Sequence, residues 1–379
     1  MDVQKAVIDF EYPEKCEIRS YKPTTKGNYV QVRRVMAASE EAEKPLICIG
    51  GGVFAAHAEN EIRELADLMQ IPVITTMMGI SVFPDDDQLF CGMIGTHGVK
   101  MANAAVNECD VLFLVGARVG DRAVKTPLAL EKTTKIIHID IDPAEIGKNI
   151  GADLPLVGDA KLVLQQMTEL AKPMKHDEWI AHIKTLGGER KYVEPAKGTV
   201  NPRVFIDRLA KKMPANVTVV ADVGQNQIWT CTEYKFRKEG RLLTSGGMGT
   251  MGYSVPAAIG AKMADNSRAT VAICGDGAFQ MSFMELATAV QFGVDIKVVV
   301  MTNNRLGMVR ELQTNGYHDR QTAVFLDGSP DFIKLAEAYG IPAMRVYDDA
   351  TMEKGVEMLA EHNGICLVEV VVDKDMPTL

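Results

Sequence analysis

The chain has 379 residues, a length that predicts two domains rather than one. Its hydrophobic content of 47% and charged content of 24% are typical of a soluble globular protein, and a net charge of −9 without a lysine and arginine cluster excludes a nucleic-acid-binding surface. The sequence shows no signal-peptide core and no apolar run of membrane-spanning length, and its seven cysteines form no CxxC pair. We therefore expect a cytoplasmic protein with free thiols and no membrane association.

The first 172 residues predict a connector followed by an α/β unit. Residues 1–28 combine prolines, glycine and many charges, which is typical of an irregular segment. From residue 29 onwards, helical spacing alternates with short apolar runs. The predicted strands are 45–49, 72–75, 111–115 and 136–140, and the predicted helices are 29–42, 60–69 and 97–107. This alternation predicts a doubly wound parallel sheet in a domain spanning residues 29–172.

A second α/β unit follows a glycine- and proline-rich linker, residues 173–199. It begins at Asn201 and Pro202, an N-cap followed by a proline at the first helical position. The predicted strands are 217–221, 268–274, 297–301 and 365–372, and the predicted helices are 253–263, 284–292 and 330–339. We therefore predict an α/β fold with two doubly wound parallel-sheet domains, the second spanning residues 200–379.

The run Gly275-Asp276-Gly277, followed across the next strand by Asn303-Asn304, predicts a magnesium–diphosphate site. Glycines on both sides of the aspartate allow the backbone to approach a phosphate closely. The carboxylate and a later amide carbonyl are the hard oxygen ligands that Mg²⁺ prefers. Both groups follow predicted neighbouring strands, and open α/β sheets bind ligands at the carboxyl ends of their strands.

This spacing resembles the motif of thiamine-diphosphate (ThDP) enzymes, and nearly the whole chain resembles the catalytic subunit of acetohydroxyacid (acetolactate) synthase without its N-terminal pyrimidine-binding domain. The matching segments include 222–229 and 246–253. The resemblance implies that the backbone carbonyl of Gly249 accepts a hydrogen bond from the cofactor's aminopyrimidine. It also implies that the Met251 side chain holds ThDP in a bent form, which makes both residues part of the catalytic apparatus.

The same resemblance implies a set of ThDP and metal contacts. The ThDP-binding residues would be Gly224, Gln225, Asn226, Gly275, Asp276, Gly277 and Ala278. Asn226 stands where the family usually has a histidine, and it can still donate a hydrogen bond. The metal ligands would be Asp276, Asn303 and the backbone carbonyl of Arg305, with Asn304 as the rival ligand if the alignment is shifted by one residue.

The first domain resembles the family's middle domain, which carries FAD in a structural role. The implied FAD-binding residues are Gly50, Gly51, Gly52, Thr76, Met77, Met78, His97, Gly116, Arg118, Arg122, Asp140, Ile141, Gly158 and Asp159. The glycine run follows a strand and precedes a helix, as a phosphate-approach turn should. The two arginines resemble those that face the pyrophosphate and ribityl chain, a task that suits the planar guanidinium.

Two further residues are implied to line the substrate pocket, Met308 and Leu312. Biosynthetic members carry a tryptophan at the Leu312 position, and that tryptophan favours 2-ketobutyrate as the second substrate. We therefore expect a weak preference for 2-ketobutyrate over pyruvate. The implied reaction is decarboxylation of pyruvate and ligation to a second 2-ketoacid, as in branched-chain amino acid biosynthesis.

One catalytic group of the family has no counterpart in residues 1–379, the glutamate that activates the pyrimidine ring of ThDP. Three interpretations stay open: half of a split synthase completed by a pyrimidine-domain polypeptide, an inactive truncated product, or a regulatory or scaffold subunit. Another ThDP enzyme, such as glyoxylate carboligase, is an alternative activity, whereas the absence of a GxGxxG motif argues against a dinucleotide-dependent dehydrogenase. The family resemblance also implies a homo- or hetero-oligomer and a possible regulatory subunit.

Overall fold

The computed structural model describes residues 2–16, 18–188 and 192–379. Residues 1, 17 and 189–191 fall within the two predicted connectors and lie outside this part. The described residues form two six-stranded sheets in which every strand pairing is parallel, with helices between the strands. The predicted fold class, α/β with two doubly wound parallel sheets, is confirmed.

The first sheet has the strand order β3-β2-β1-β4-β5-β6. Its strands are β1 (Pro45–Ile49), β2 (Val73–Thr75), β3 (Phe90–Met93), β4 (Val111–Val115), β5 (Lys135–Asp140) and β6 (Leu154–Val157). The helices of this half are α1 (Asp2–Lys5), α2 (Tyr29–Glu40), α3 (Gly52–Ala55), α4 (Glu59–Met69), α5 (Lys100–Glu108), α6 (Pro127–Leu130), α7 (Ala160–Thr168) and α8 (Asp177–Leu186). The chain winds outwards in opposite directions from β1 and β4, so a crevice opens between the carboxyl ends of these two strands.

Helices cover both faces of the first sheet, which explains why its central strands are continuous apolar runs rather than alternating ones. All five residues of β1 and all five of β4 are buried. On one face, Ile47 packs with apolar residues of α2, α4 and α7. On the other face, Leu46 packs with residues of α5 and α8.

Helix α8 lies inside the segment predicted as a linker. Trp179 and Ile183, four residues apart on one side of α8, are buried against the first sheet. The indole nitrogen of Trp179 donates a hydrogen bond to the carbonyl of Pro45, 3.0 Å away. Part of residues 173–199 therefore packs with the first unit, while the boundary between the two domains stays a prediction.

The second sheet has the strand order β11-β12-β10-β9-β7-β8. Its strands are β7 (Thr218–Ala221), β8 (Arg241–Thr244), β9 (Thr270–Gly275), β10 (Lys297–Thr302), β11 (Ala343–Val346) and β12 (Cys366–Val371). The helices are α9 (Pro202–Lys212), α10 (Gln225–Glu233), α11 (Ser254–Ala264), α12 (Asp276–Phe279), α13 (Leu286–Gln291), α14 (Gly307–Gly316), α15 (Phe332–Ala338) and α16 (Asp349–Glu361). Here the winding direction changes between β7 and β9, and a second crevice opens at their carboxyl ends.

The second unit begins as its sequence predicts. The side chain of Asn201 accepts hydrogen bonds from the backbone N–H groups of Arg203 and Val204, and Pro202 is the first residue of α9. One face of the sheet packs against α9, α10 and α16, and the other against α11, α13 and α15.

The two units meet along residues 80–87 of the first and 234–242 of the second. The N–H of Phe236 donates to the Asp85 carboxylate at 2.8 Å, and the N–H of Asp85 donates to the Phe236 carbonyl at 2.8 Å. Arg241 forms an ion pair with Glu59 at 3.0 Å. These contacts fix the two crevices relative to each other. No helix in the described ranges is long and apolar enough to cross a membrane.

Candidate functional site

The second crevice is a cleft built from three consecutive turns at the carboxyl edge of the sheet. The turns follow β7, β9 and β10, and the segment that precedes α11 adds Met251. The residues of the three turns that line it include Gly224, Gln225 and Asn226; Gly275, Asp276, Gly277 and Ala278; and Asn303, Arg305 and Met308. The fold thus brings together the residues for which the sequence implies ThDP and metal contacts.

Asp276 is the most deeply buried ionisable group of the cleft, with 1% of its surface exposed. Its Oδ2 accepts hydrogen bonds from the N–H groups of Asn304 and Asn303, at 2.6 and 3.2 Å, and its Oδ1 accepts one from Gly277 at 2.8 Å. Burial raises the pKa of Asp276 to about 6, although these backbone donors oppose the shift. No lysine, arginine or histidine among the described residues forms an ion pair with this carboxylate.

A buried carboxylate that lacks a cationic partner is electrostatically costly. A divalent cation held by oxygen ligands would offset that cost, and the groups around Asp276 are hard oxygen donors of the kind that Mg²⁺ binds. The donor set therefore fits a magnesium ion.

The two adjacent asparagines after β10 differ in position. Asn303 lines the cleft, and its Nδ2 donates to the Oε1 of Gln225 at 3.2 Å. Asn304 is exposed and has a left-handed backbone, with φ of 54°. The guanidinium of Arg305 is bonded to Asp327 at 2.8 Å and lies over the ring of Phe325.

The first glycine turn combines backbone freedom with a helix N-terminus. Gly224 has φ of 146°, a conformation that side chains disfavour, and it immediately precedes the nine residues of α10. The N-terminal N–H groups of a helix and its dipole attract anions. A Cβ on Gly277 would lie 2.8 Å from the Cδ2 of Leu306, so a side chain there would require the leucine to shift.

The arrangement of the Asn226 side chain differs from the expectation that it can donate to a phosphate. Its Nδ2 donates to the carbonyls of Asp222 and Ile273, at 2.8 and 3.2 Å. Both amide hydrogens are therefore engaged in joining the turn after β7 to β9. Sequence reasoning could identify the residue type but not the long-range partners of its side chain.

Sequence reasoning also missed the contacts that residues 376–378 make with the cleft wall. The Nε2 of Gln225 donates to the carbonyl of Met376 at 2.9 Å, and the indole of Trp229 donates to the carbonyl of Pro377 at 3.1 Å. Glu311 accepts from the N–H of Thr378 at 3.2 Å. Sequence reasoning could have placed α14 beside the cleft only from the helical spacing between Gly307 and the later residues Glu311 and Leu312. Leu312 itself is 61% exposed.

The first crevice is bordered by the glycine turns after β1 and β4, for which FAD contacts are implied, but these glycines have another task. A Cβ on Gly50 would lie 2.1 Å from the carbonyl oxygen of Gly116, and a Cβ on Gly52 would lie 2.7 Å from the Gly116 Cα. The turns after β1 and β4 therefore pack backbone against backbone. Arg118 and Arg122 lie exposed beyond these turns.

The remaining residues of the implied FAD set occupy several environments. Gly158 and Asp159 contact the predicted connector: the N–H of Asp159 donates to the carbonyl of Thr25 at 2.8 Å. Asp159 also caps α7. Burial lowers the pKa of His97, and the negative charge of Glu311 in the second unit partly opposes this shift. Thr76, Met77 and Met78 follow β2, whereas Asp140 is the last residue of β5 and Ile141 follows it.

Two family models match the chain. The central domain of thiamine pyrophosphate enzymes matches residues 32–167, and their C-terminal TPP-binding domain matches residues 222–370. The chain therefore belongs to the thiamine pyrophosphate enzymes, as its sequence predicts. The second match contains both the turn after β7 and the Gly275-Asp276-Gly277 turn.

Within this family, the chain is similar to the large subunits of acetolactate synthases. It is 39% identical to a probable acetolactate synthase large subunit of Methanocaldococcus jannaschii over 98% of this chain and 65% of that protein. It is 37% identical to the large subunit of Corynebacterium glutamicum over 99% of this chain and 62% of that protein. For isozyme 3 of Escherichia coli the identity is 34%, over 97% and 66%. The chain thus spans less than two thirds of the length of these relatives.

Proposed function

We propose that this chain is the diphosphate-binding part of an acetolactate synthase, which decarboxylates pyruvate and joins the two-carbon product to a second 2-ketoacid. The observation that carries the proposal is the buried Asp276 carboxylate beside Asn303, at the crevice of a domain that matches the TPP-binding model. When bound, ThDP would supply the nucleophilic carbon and the electron sink that decarboxylation needs. The chain's own residues would bind and orient it.

The metal would be held by the Asp276 carboxylate, the side-chain oxygen of Asn303 and the backbone carbonyl of Arg305. The support is chemical, because all three are hard oxygen donors and Asp276 has no other cationic partner among the described residues. The exposed position of Asn304 favours Asn303 as the ligand. The metal would in turn neutralise the diphosphate.

The diphosphate would lie against the turn Gly224-Gln225 and the N-terminus of α10, where backbone N–H groups and the helix dipole favour an anion. The cleft lining also includes Met251, whose flexible apolar side chain can pack under a ring without competing for protons. Gly249 has φ of 66°, a backbone geometry that fits a turn with an exposed carbonyl. Met308 and Leu312 would contribute to the substrate pocket.

We propose that a pyrimidine-binding domain outside residues 1–379 supplies the glutamate that activates ThDP. Two surfaces support a docking partner. Val7 and Tyr12 in the N-terminal connector are 98% and 91% exposed, and Met248 beside the cleft is 91% exposed. Groups of exposed apolar side chains are typical of interaction surfaces, and Val3, Ile8 and Phe10 of the same connector are also exposed. The prediction is that the chain alone forms no acetolactate from pyruvate, and that adding such a domain restores turnover.

FAD would bind at the first crevice, between the turns after β1 and β4. The support is the position at the switch point of a doubly wound sheet and the exposed pair Arg118 and Arg122 at the same edge. The relatives' designation as large subunits supports a smaller regulatory partner in the assembly. A cytoplasmic location is supported by seven free cysteines in the described residues, six of them buried.

The test of the metal and diphosphate site is calorimetric titration of ThDP in the presence and absence of Mg²⁺. The chain should bind ThDP only with Mg²⁺, and Asp276→Ala should abolish that binding because it removes an ionised ligand. Asp265→Ala is the matched control, since Asp265 is an exposed carboxylate that caps the C-terminal end of α11 and accepts from the N–H of Ser267. Undiminished binding by Asp276→Ala would refute the assignment.

A further inference from the structure

Asp222 is a buried carboxylate at the switch point of the second sheet for which the family resemblance assigns no task. It follows β7, it is 0% exposed, and its N–H donates to the carbonyl of Ile273 at 2.8 Å. No cationic side chain in the described part of the chain forms an ion pair with it. Within the described residues, the partners of this buried carboxylate are therefore backbone N–H groups.

The carboxylate of Asp222 accepts hydrogen bonds from three backbone N–H groups. Its Oδ1 accepts from Val223 at 2.9 Å and from Gly252 at 3.0 Å, and its Oδ2 accepts from Ser254 at 2.8 Å. Hydrogen bonds to an ionised acceptor are about twice as strong as neutral ones. The donors Gly252 and Ser254 are the two neighbours of Tyr253 in the sequence, so Asp222 holds the backbone on both sides of Tyr253.

The segment that Asp222 holds, residues 252–254, joins Met251 to helix α11. Met251 directly precedes Gly252, which has φ of 83°, and Ser254 is the first residue of α11. The N–H groups of a first helical turn have no partner within the helix, and α11 has no side-chain cap of its own, so Asp222 satisfies one of them. The Cε of Met251 lies 3.4 Å from the position of a Cβ on Gly277.

Because of these bonds, one carboxylate connects the turn on which the diphosphate would lie with the segment that would face the other end of the cofactor. We propose that Asp222 is a positioning residue, which fixes residues 249–254 so that Met251 and the Gly249 carbonyl meet the aminopyrimidine of ThDP. This inference rests on the proposed function, since it concerns the same cleft. It adds the residue that sets the distance between the two ends of the binding site.

The informative substitution is Asp222→Asn, which keeps the shape of the side chain. An amide has one acceptor oxygen, so it loses the bond to either Gly252 or Ser254, and its NH₂ group then faces a backbone donor. The segment 249–254 should shift, while the turn Gly224-Gln225 and the Asp276 region stay in place. Binding of the aminopyrimidine end should therefore weaken without a change at the diphosphate end.

The experiment compares calorimetric affinities for ThDP and for inorganic pyrophosphate, both with Mg²⁺. The unmodified chain should prefer ThDP, and Asp222→Asn should lose about tenfold in ThDP affinity while its pyrophosphate affinity stays within about twofold. Met251→Ala should reduce the same preference, and Asp265→Asn should leave both affinities unchanged. A purely structural role of Asp222 would weaken both ligands together, and that result would overturn the inference.

Two other outcomes separate the inference from the proposed function. If the unmodified chain binds pyrophosphate and ThDP equally well, the diphosphate site stands and the positioning role of Asp222 is wrong. If it binds neither ligand, the proposed function itself fails. Should Asp222→Asn not fold, hydrogen exchange on the unmodified chain decides: ThDP should slow exchange in residues 249–254 and pyrophosphate should not, whereas equal slowing contradicts the inference.

Discussion

The two crevices of this protein have the same architecture and use it differently. Both lie where the winding direction of a parallel sheet changes, and both are bordered by glycine turns. In the first crevice, Gly50 and Gly116 pack backbone against backbone, and the arginines implied to bind a cofactor are exposed. In the second, the glycines surround Asp276, a buried carboxylate with no ion pair among the described residues.

This difference teaches that a glycine turn at a switch point is not in itself evidence of a ligand. The stronger indication is a buried charge whose cost within the protein is not offset, because a bound ion of opposite charge would stabilise it. By this criterion, the evidence for a bound cofactor is stronger at the second crevice than at the first. The predictions below test that contrast, beginning with the largest expected effect.

Gly50→Ala should destabilise the first unit by about 3 kcal/mol or more, because the added Cβ would lie 2.1 Å from the Gly116 carbonyl and two backbones would have to separate. Gly260→Ala is the control, since an added Cβ at Gly260 meets nothing within 4 Å and lies in α11. Denaturant unfolding measures both. If Gly50→Ala keeps its stability and only loses FAD, the glycine serves the cofactor rather than packing.

The junction that fixes the two crevices should respond to pH through Asp85. Burial raises the pKa of Asp85 to about 6, while Lys235 and the N–H of Phe236 oppose the shift and Asp86 adds to it. The folded protein therefore holds a proton between pH 6 and pH 4 that the unfolded chain lacks, so this group's contribution to stability rises as the pH falls through that window.

Asp85→Asn removes the titration and keeps an acceptor for Phe236. The free energy of unfolding of the unmodified protein should gain about 2 kcal/mol relative to Asp85→Asn as the pH falls from 7.5 to 4.5. Unfolding curves of both proteins at several pH values measure this difference. A difference that does not change with pH would show that Asp85 has an ordinary pKa.

Arg118→Met and Arg122→Met should each weaken FAD binding about tenfold, because a charge-assisted bond to a phosphate would be lost. Arg34→Met, on the exposed side of α2, should have no effect. Flavin fluorescence titration provides the affinities. A protein that is purified without flavin and takes up no added FAD would show that the first crevice is only a packing junction.

The smallest effect is expected at Leu312, an exposed residue of α14. In an enzyme completed with a pyrimidine-binding domain, the preference for 2-ketobutyrate over pyruvate should be weak, within about tenfold, and Leu312→Trp should raise it because a larger apolar surface contacts the extra methylene. Competition between the two acceptors measures the ratio. A strong 2-ketobutyrate preference in the unmodified chain would contradict the role of Leu312.

The sequence predicted the central strands and the turn residues that line the second crevice because both depend on local patterns. The buried runs at 45–49, 111–115 and 297–302 are continuous apolar segments, and Gly275-Asp276-Gly277 is contiguous. The edge strands β3, β6, β8 and β11 were not predicted, since each has only four residues and is partly exposed. Their short patterns resemble those of loops.

The unpredicted parts of the site all depend on partners far apart in sequence. Asn226 has its donors occupied by Asp222 and Ile273, and Gln225 is held by residues 376–378. Helix α8 was not predicted because it lies within a glycine- and proline-rich segment, although Trp179 and Ile183 have helical spacing. Spacing can indicate a helix, but a single sequence does not specify which distant backbone group a buried amide will meet.

The most direct test of the central claim is a crystal structure of the protein with ThDP and Mn²⁺, a metal that substitutes for Mg²⁺ and scatters anomalously. We predict an anomalous peak within bonding distance of the Asp276 carboxylate, the Asn303 side-chain oxygen and the Arg305 carbonyl, with the diphosphate against Gly224 and the N-terminus of α10. A peak at Asn304 would correct the ligand assignment. A metal and diphosphate bound elsewhere, or in the first crevice, would contradict the account.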